Sequence, residues 1–322
     1  MKRRLGAIDI GSNTVKLLIA ESDGHSVEPL LQKSIQTRLA RGLKRGHSIS
    51  EAAREQTHQV IERFLDLANQ FDVEQLTGCA TSALREANNG TEILAQFSGE
   101  FGFPLRVISG KEEARLIYQG LTTASHRPLT DLLILDVGGG STEAILVLEE
   151  QLRFQESFPV GTVHLFESIN TAFPSPEKAM TTLDETLTRE YRPLVQAVQS
   201  VALDHDFQIM AAGGGAVVAS MILQESNTFD PRAIEAQPIQ LTDLAHLKHR
   251  LWNSTREQRL DWPGMPTDRA DIMPTGVSIL THLLGALDHS RIYVSTRGLR
   301  FGLILQLHRQ MAERPKTSSS PN

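Results

Sequence analysis

A single cysteine, Cys79, stands in the 322 residues of this chain. One thiol cannot close an internal disulfide, and it excludes a multi-cysteine zinc site. It reads as a small core residue rather than a nucleophile. The 11 histidines fall at no metal-ligand spacing. The one close pair, His246 and His249, is flanked by Lys248 and Arg250 and reads as a solvated helix face. No apolar run reaches the roughly 18–20 residues that cross a bilayer, so a membrane-spanning protein is excluded. The N-terminus carries Lys2, Arg3 and Arg4 and soon meets Asp9, without the apolar stretch and cleavage site of a signal peptide. The expected compartment is therefore the cytoplasm. A basic excess is missing too. The net charge is −6, which argues against a general nucleic-acid binder.

What is there suits a soluble globular chain: 40% hydrophobic and 22% charged residues. The length suggests two domains. Charge is uneven along it. Residues 1–130 carry 16 Lys+Arg against 15 Asp+Glu, while 131–322 carry 16 against 23. A basic run, Arg38, Arg41, Lys44 and Arg45 with His47 beyond, is either a solvated loop or edge strand, or part of a path for an anionic ligand.

Periodicity predicts strands at 5–10, 14–20, 74–79, 105–108, 131–137, 142–148, 152–158, 207–212 and 292–295. Helices are predicted over 51–70, 90–100, 109–120, from Pro176 to about 203, after Gly215 to 223, and over 242–252, 270–287 and 298–311. Strands alternating with helices argue for an α/β fold with mixed sheets. One pattern occurs twice. LGAIDIGSNTVKLLIA and LLILDVGGGSTEAILV each run from an apolar strand through an aspartate, Asp9 or Asp136, into a glycine turn and a second strand. Duplicated domains with facing turns follow. The predicted boundaries are 1–124 and 125–311, with a disordered Pro/Ser-rich tail over 312–322.

The turns carry the chemistry. Glycines let a backbone approach a phosphate, successive N–H groups form an anion-binding concavity, and Ser and Thr hydroxyls add donors. Gly11, Ser12, Asn13 and Thr14 supply this kit in the first turn; Gly138, Gly139, Gly140, Ser141 and Thr142 supply it in the second. Neither is a Walker A loop. Asp9 and Asp136 either brace their turns or support magnesium, which takes a few carboxylates along with waters and phosphates. A third turn, Gly213, Gly214 and Gly215, either faces an anion at a helix start or packs strand on helix.

Ser109 and Glu112 have capping-box spacing, which gives Glu112 a structural task. Glu113 instead falls in line with Leu116, Ile117, Gly120 and Leu121 on the inward stripe. A carboxylate there, facing a phosphate cleft, is placed to act as a general base on water. Arg85 suits a bidentate phosphate contact or a salt bridge with Glu86. Glu143 opens an apolar strand, where an acid needs a partner.

Six segments in order, AIDIGSNTVKLLIA, LREANNG, ISGKEEARLIYQG, LDVGGGSTEAIL, RADIMPTGVSIL and VSTRGLRFGL, resemble the exopolyphosphatase/guanosine pentaphosphate phosphohydrolase family, within the sugar kinase–Hsp70–actin superfamily. The resemblance runs over about residues 5–306. It implies a duplicated actin-like α/β fold with the active site in the cleft between domains. It also implies hydrolysis of a terminal phosphoanhydride with Mg2+ or another divalent cation. By motif, Glu113 matches the family's base, and Asp136, Gly138, Ser141 and Glu143 match its second loop with the metal- and phosphate-handling residues. Asp9, Ser12, Asn13 and Thr14 match the first loop, and Arg85 and Arg38 match arginines that meet substrate phosphates. The implied substrate is inorganic polyphosphate, with guanosine pentaphosphate as the alternative; a non-catalytic sensor of either is a third reading. No nucleic-acid or membrane partner is expected, and the family often forms homodimers. Departures stand at Ala216, where the family turn has Thr, at Thr162-Val163-His164 after Gly161, and at Phe301 in place of an acid. Longer family members add a helical extension with an HD-type domain, so this short form is expected to be less processive.

Overall fold

The structure, a computed structural model, describes residues 2–41, 43, 47–123, 130–169, 173–174, 177–202 and 205–313. The expected domain boundary at 124/125, residues Lys44, Arg45 and Pro176, and tail residues 314–322 lie outside the described residues.

The chain opens with three antiparallel strands, β1 (Arg3–Ile10), β2 (Thr14–Ser22) and β3 (Val27–Gln36). Then come α1 (Glu51–Gln70), β4 (Gln75–Ala80), α2 (Ser82–Glu86), α3 (Gly90–Phe101), β5 (Leu105–Val107) and α4 (Gly110–Leu121). A second set of antiparallel strands follows: β6 (Leu132–Val137), β7 (Thr142–Leu148) and β8 (Gln151–Phe158). After α5 (Thr162–Ile169) and α6 (Glu177–Ala202) come β9 (Gln208–Ala212), α7 (Gly214–Leu223), α8 (Pro231–Ala236) and β10 (Ile239–Gln240). The described chain closes with α9 (Leu241–Trp252), α10 (Arg256–Leu260), α11 (Met273–Ala286), β11 (Arg291–Val294) and α12 (Leu299–Glu313).

The internal repeat is visible in the topology. One sheet has the order β3-β2-β1-β4-β5, and the other contains β8-β7-β6-β9-β11 with β10 added at its edge. In both, the first three strands are antiparallel and the next two run parallel to the central one. The molecule is thus the duplicated α/β fold with mixed sheets that the internal repeat predicts, in the actin-like form that the family resemblance implies.

Strand periodicity sorts the side chains into layers. In β1 and β2, Ile8, Ile10, Leu17 and Ile19 face α1 and α3, while Leu5, Ala7, Leu18 and Ala20 face inward. In β6 and β7, Leu133, Leu135, Ala144 and Leu146 face α6, α7, α9 and α11, while Leu132, Ile134, Ile145 and Val147 face inward. The two inward faces share one core with α4 and α12. The order of layers is therefore helices, sheet, two helices, sheet, helices.

Several elements differ from expectation. β3 carries Pro29, exposes Leu30 and pairs through a bulge at Ile19/Ala20, so it shows no clean alternation in sequence. The short helices α2, α5, α8 and α10 are too brief for a periodic signal. α12 continues to Glu313, two residues into the expected tail. Cys79 is fully buried, and His246 and His249 are exposed on α9. No helix among the described residues is long and apolar enough to cross a membrane.

Candidate active site

The same period of two that builds the core places the acids. Asp9 continues the face of Leu5 and Ala7, Lys16 that of Leu18, Asp136 that of Ile134, and Glu143 that of Ile145. All four sit where the inward faces run out, beside the turns. Register makes the two copies equivalent: Asp9 lies opposite Lys16 and Asp136 opposite Glu143. Each turn closes the same way. Gly11 N–H donates to the Thr14 carbonyl at 3.0 Å and Gly138 N–H to that of Ser141 at 2.9 Å.

The turns meet tip to tip. A Cβ on Gly139 would lie 3.2 Å from Ser12 Cβ, and one on Gly140 would lie 2.4 Å from Ser82 Oγ. Only glycine lets the second turn approach so closely. Between the turns runs a cleft of about 440 Å³, bordered by Asp9, both turns, Glu113, Asp136 and Glu143.

At its inner end, α4 presents Glu113, buried together with Leu116, Ile117, Gly120 and Leu121 as the helical stripe required. Arg85 Nη1 donates to Glu113 Oε2 at 3.0 Å and to the Ile108 carbonyl at 3.0 Å. Arg85 therefore partners Glu113, not Glu86. Ser109 does cap α4, but the Glu112 carboxylate pairs with Arg106 and Arg115 instead of reaching back. The charged partner on the preceding strand outcompetes a neutral backbone donor.

Burial sets the electrostatics. It pushes the Glu113 carboxyl well above its usual range, the nearby Glu143 pushes it further, and Arg85 opposes. Burial raises Asp136 as well, opposed by Lys16 and Arg300. Glu143 is pushed up to about 7, by burial first and Asp136 second. Ser157 Oγ donates to Glu143 Oε1 at 2.7 Å. Lys16 Nζ lies 3.6 Å from Asp9 Oδ2. Burial thus raises three neighbouring carboxyls together, and Arg85, Lys16 and Arg300 only partly oppose it. Asn13 Nδ2, buried at the wall, has no hydrogen-bond partner. A buried donor left unmet costs about 1–3 kcal/mol, so this wall suits an incoming acceptor.

Some expected residues are placed elsewhere. Thr142 is a correction: it shares the outer face of β7 with Ala144 and Leu146. Its hydroxyl donates to the Val160 carbonyl and meets Tyr191 OH at 2.8 Å, away from the cleft. Arg38 pairs with Asp271 at 2.9 Å outside the cleft wall. Gly213 and Gly214 border the cleft; Gly215 does not. Ala216 and Phe301 are core residues, the latter beneath the Arg297 guanidinium at 4.9 Å. Asp9, Asp136 and Glu143 share the cleft without themselves forming a cluster of three metal ligands; none exists among the described residues.

The sequence reading missed Lys16, Ser82, Ser157 and Arg300. Lys16 was readable, since an eight-residue hairpin sets it opposite Asp9 as Glu143 is set opposite Asp136. Arg300 was not. It comes from α12 and donates to the Leu17 carbonyl at 2.8 Å and to Gln32 at 3.1 Å.

The sequence profile of the Ppx/GppA phosphatase family matches residues 18–311. The structure is similar to that of the PPX-GPPA enzyme of Aquifex aeolicus, with 25% identity and a TM-score of 0.77 over 95% of this chain and 100% of that one. It is also similar to an exopolyphosphatase from Cytophaga hutchinsonii, with 26% identity and a TM-score of 0.84 over 96% and 98%. An exopolyphosphatase-like protein at 20% identity shares the fold, with a TM-score of 0.86 over 97% and 99%.

Proposed function

The chain belongs to the Ppx/GppA phosphatase family of phosphoanhydride hydrolases, and from that premise we propose that it removes the terminal phosphate of inorganic polyphosphate. One observation carries the reading. A buried carboxylate, Glu113, stands at the inner end of a cleft between two matched glycine turns, held by Arg85 at 3.0 Å.

The substrate's end phosphates lie across the turns, where backbone N–H groups and the hydroxyls of Ser12, Thr14 and Ser141 replace their hydration. Asn13 Nδ2 gains its missing acceptor there. Glu113 takes the proton of a water as its oxygen bonds to the terminal phosphorus. The bridging P–O bond breaks, and the shortened chain leaves with the electron pair. A carboxyl raised by burial is the stronger base for this step. Arg85, behind the cleft wall, holds and orients Glu113 through its 3.0 Å hydrogen bond.

The donor set fits magnesium, since buried oxygens of Asp9 and Asp136, with Glu143 behind, face a space that phosphate oxygens and waters can complete. When bound, such a cation supplies charge neutralisation across the phosphates. Lys16 and Arg300 contribute positive charge to the same carboxylates.

A second reading, guanosine pentaphosphate as substrate, has its own observation. The outer cleft is bordered by Val217, Val218, Met221, Phe229 and Pro266, an apolar wall that suits a base and not a phosphate chain. The experiment is phosphate release by purified protein, with magnesium or with EDTA, from short polyphosphate, long polyphosphate, guanosine pentaphosphate and ATP side by side. Magnesium-dependent release ranks the substrates. Preference for the guanosine nucleotide overturns the polyphosphate assignment, and no release from any overturns the hydrolase.

A further inference from the structure

A second cavity, of about 480 Å³, abuts the first behind Glu113. It is lined by Arg85, Glu86, Gly110, Ser141, Ser157 and Pro159. The partition between the two is polar. Ser141 borders both cavities. Arg85, on the far side, holds Glu113 of the cleft at 3.0 Å. Ser157, also on the far side, donates to Glu143 of the cleft at 2.7 Å. Two hydrogen-bonded pairs and a hydroxyl, all of them side chains, therefore stand between the spaces. Beyond them the cavity reaches the surface at exposed Pro159.

In-line displacement decides which side each product occupies. The attacking oxygen enters opposite the leaving oxygen. With Glu113 as base, orthophosphate forms at the inner end, and the shortened substrate fills the cleft behind it. We propose that the second cavity is the exit for orthophosphate, so that product leaves by the far side of the Arg85–Glu113 pair while the substrate chain stays in place. This rests on the hydrolase reading above.

The lining suits that ligand. A guanidinium and two hydroxyls from Arg85, Ser141 and Ser157 match a small oxyanion. Glu86, held by Ser82 Oγ at 2.8 Å, places negative charge beyond them. The anion is drawn through the partition by Arg85 and then repelled outward, so it passes without lingering. Separate doors for product and substrate allow successive cleavages on one chain.

The test follows one turnover in two ways: acid quench, which counts all orthophosphate formed, and a fluorescent phosphate-binding sensor, which counts only what has been released. Pro159→Trp sets a ring at the exposed mouth, and Glu86→Arg makes the path retain anions. In each variant the quench trace should match wild type, while the sensor trace lags by about tenfold or more and kcat falls with it. Phe229→Trp, on the wall of the substrate cleft, should shift KM and produce no lag. Retained secondary structure by circular dichroism shows that each variant is folded. Sensor and quench traces that still coincide in both Pro159→Trp and Glu86→Arg overturn the exit. So does a rise in KM for long polyphosphate with no lag, which would make the cavity a path for the chain. Failure of the hydrolase reading looks different: the quench itself shows no orthophosphate.

Discussion

Glu113 and Glu143 are both buried acids, yet their surroundings give them different work. Glu113 has a guanidinium at 3.0 Å, whereas Glu143 has a serine hydroxyl at 2.7 Å. Glu113→Gln keeps the shape and the hydrogen-bonding reach but cannot take a proton. Turnover should fall about 10²–10⁴-fold, while equilibrium binding of polyphosphate persists. Unchanged kcat would remove Glu113 from the base role. Because its carboxyl is raised, turnover should decline on the acid side at a pH above the ordinary carboxylate range, as the base becomes protonated. Glu143 gives a separate signal. At about 7 it is half protonated near neutrality, and a divalent cation favours its ionised form. Magnesium binding at pH 7 should release about half a proton from this site and less as the pH rises. Titration calorimetry in two buffers of different ionisation enthalpy measures this, and no buffer dependence would place the cation elsewhere.

At the scale of elements, the site depends on how closely α4 and α12 cross. A Cβ on Gly120 would lie 2.0 Å from the Gly298 carbonyl oxygen, and one on Gly302 would lie 2.0 Å from that of Leu116. These are backbone atoms and cannot rotate away. Gly302→Ala should therefore destabilise the fold by about 1–3 kcal/mol, seen as a lower Tm. It should also lower kcat, because α4 carries Glu113 and α12 carries Arg300. A variant of wild-type Tm would show that the helices separate at no cost. This crossing also marks the limit of what the sequence made legible. The helical stripe placed Glu113, the repeated pattern of strand, aspartate and glycine turn placed Asp9 and Asp136, and Glu143 stood out as an acid opening an apolar strand, because each of these signals is local to one element. Thr142 is expected both among the turn's phosphate donors and as the first residue of the strand over 142–148; its parity with Ala144 and Leu146 decides between them and turns its hydroxyl to the outer face. Arg300, Ser157 and the Arg85–Glu113 pair needed the tertiary fold, since each joins segments whose meeting no local period records.

For the molecule as a whole, a buried acid raised by burial sets a pH dependence of stability. Glu143 moves from 4.5 to about 7 on folding, worth about 3 kcal/mol in differential protonation. The folded state holds this proton more tightly, so the contribution is fully present below pH 4.5 and lost as the pH rises to about 7. Without magnesium, Tm should decline over that window. Glu143→Gln should flatten the decline, and added magnesium should raise Tm above the window, where the carboxylate is ionised and able to bind it. Identical pH profiles for wild type and Glu143→Gln would overturn the assignment.

The inward face of β1 and β2 is covered by a helix that begins 296 residues after β1 does. At roughly 5–20 residues per second on the ribosome, that face waits about 15–60 s for α12. Throughout this interval the nascent chain displays Leu5, Ala7, Leu18 and Ala20 without one of their covering helices, an apolar face of the kind that favours aggregation until it is covered. It also means that no partly synthesised copy has Arg300 beside its carboxylates: phosphate handling begins only when translation of α12 is complete.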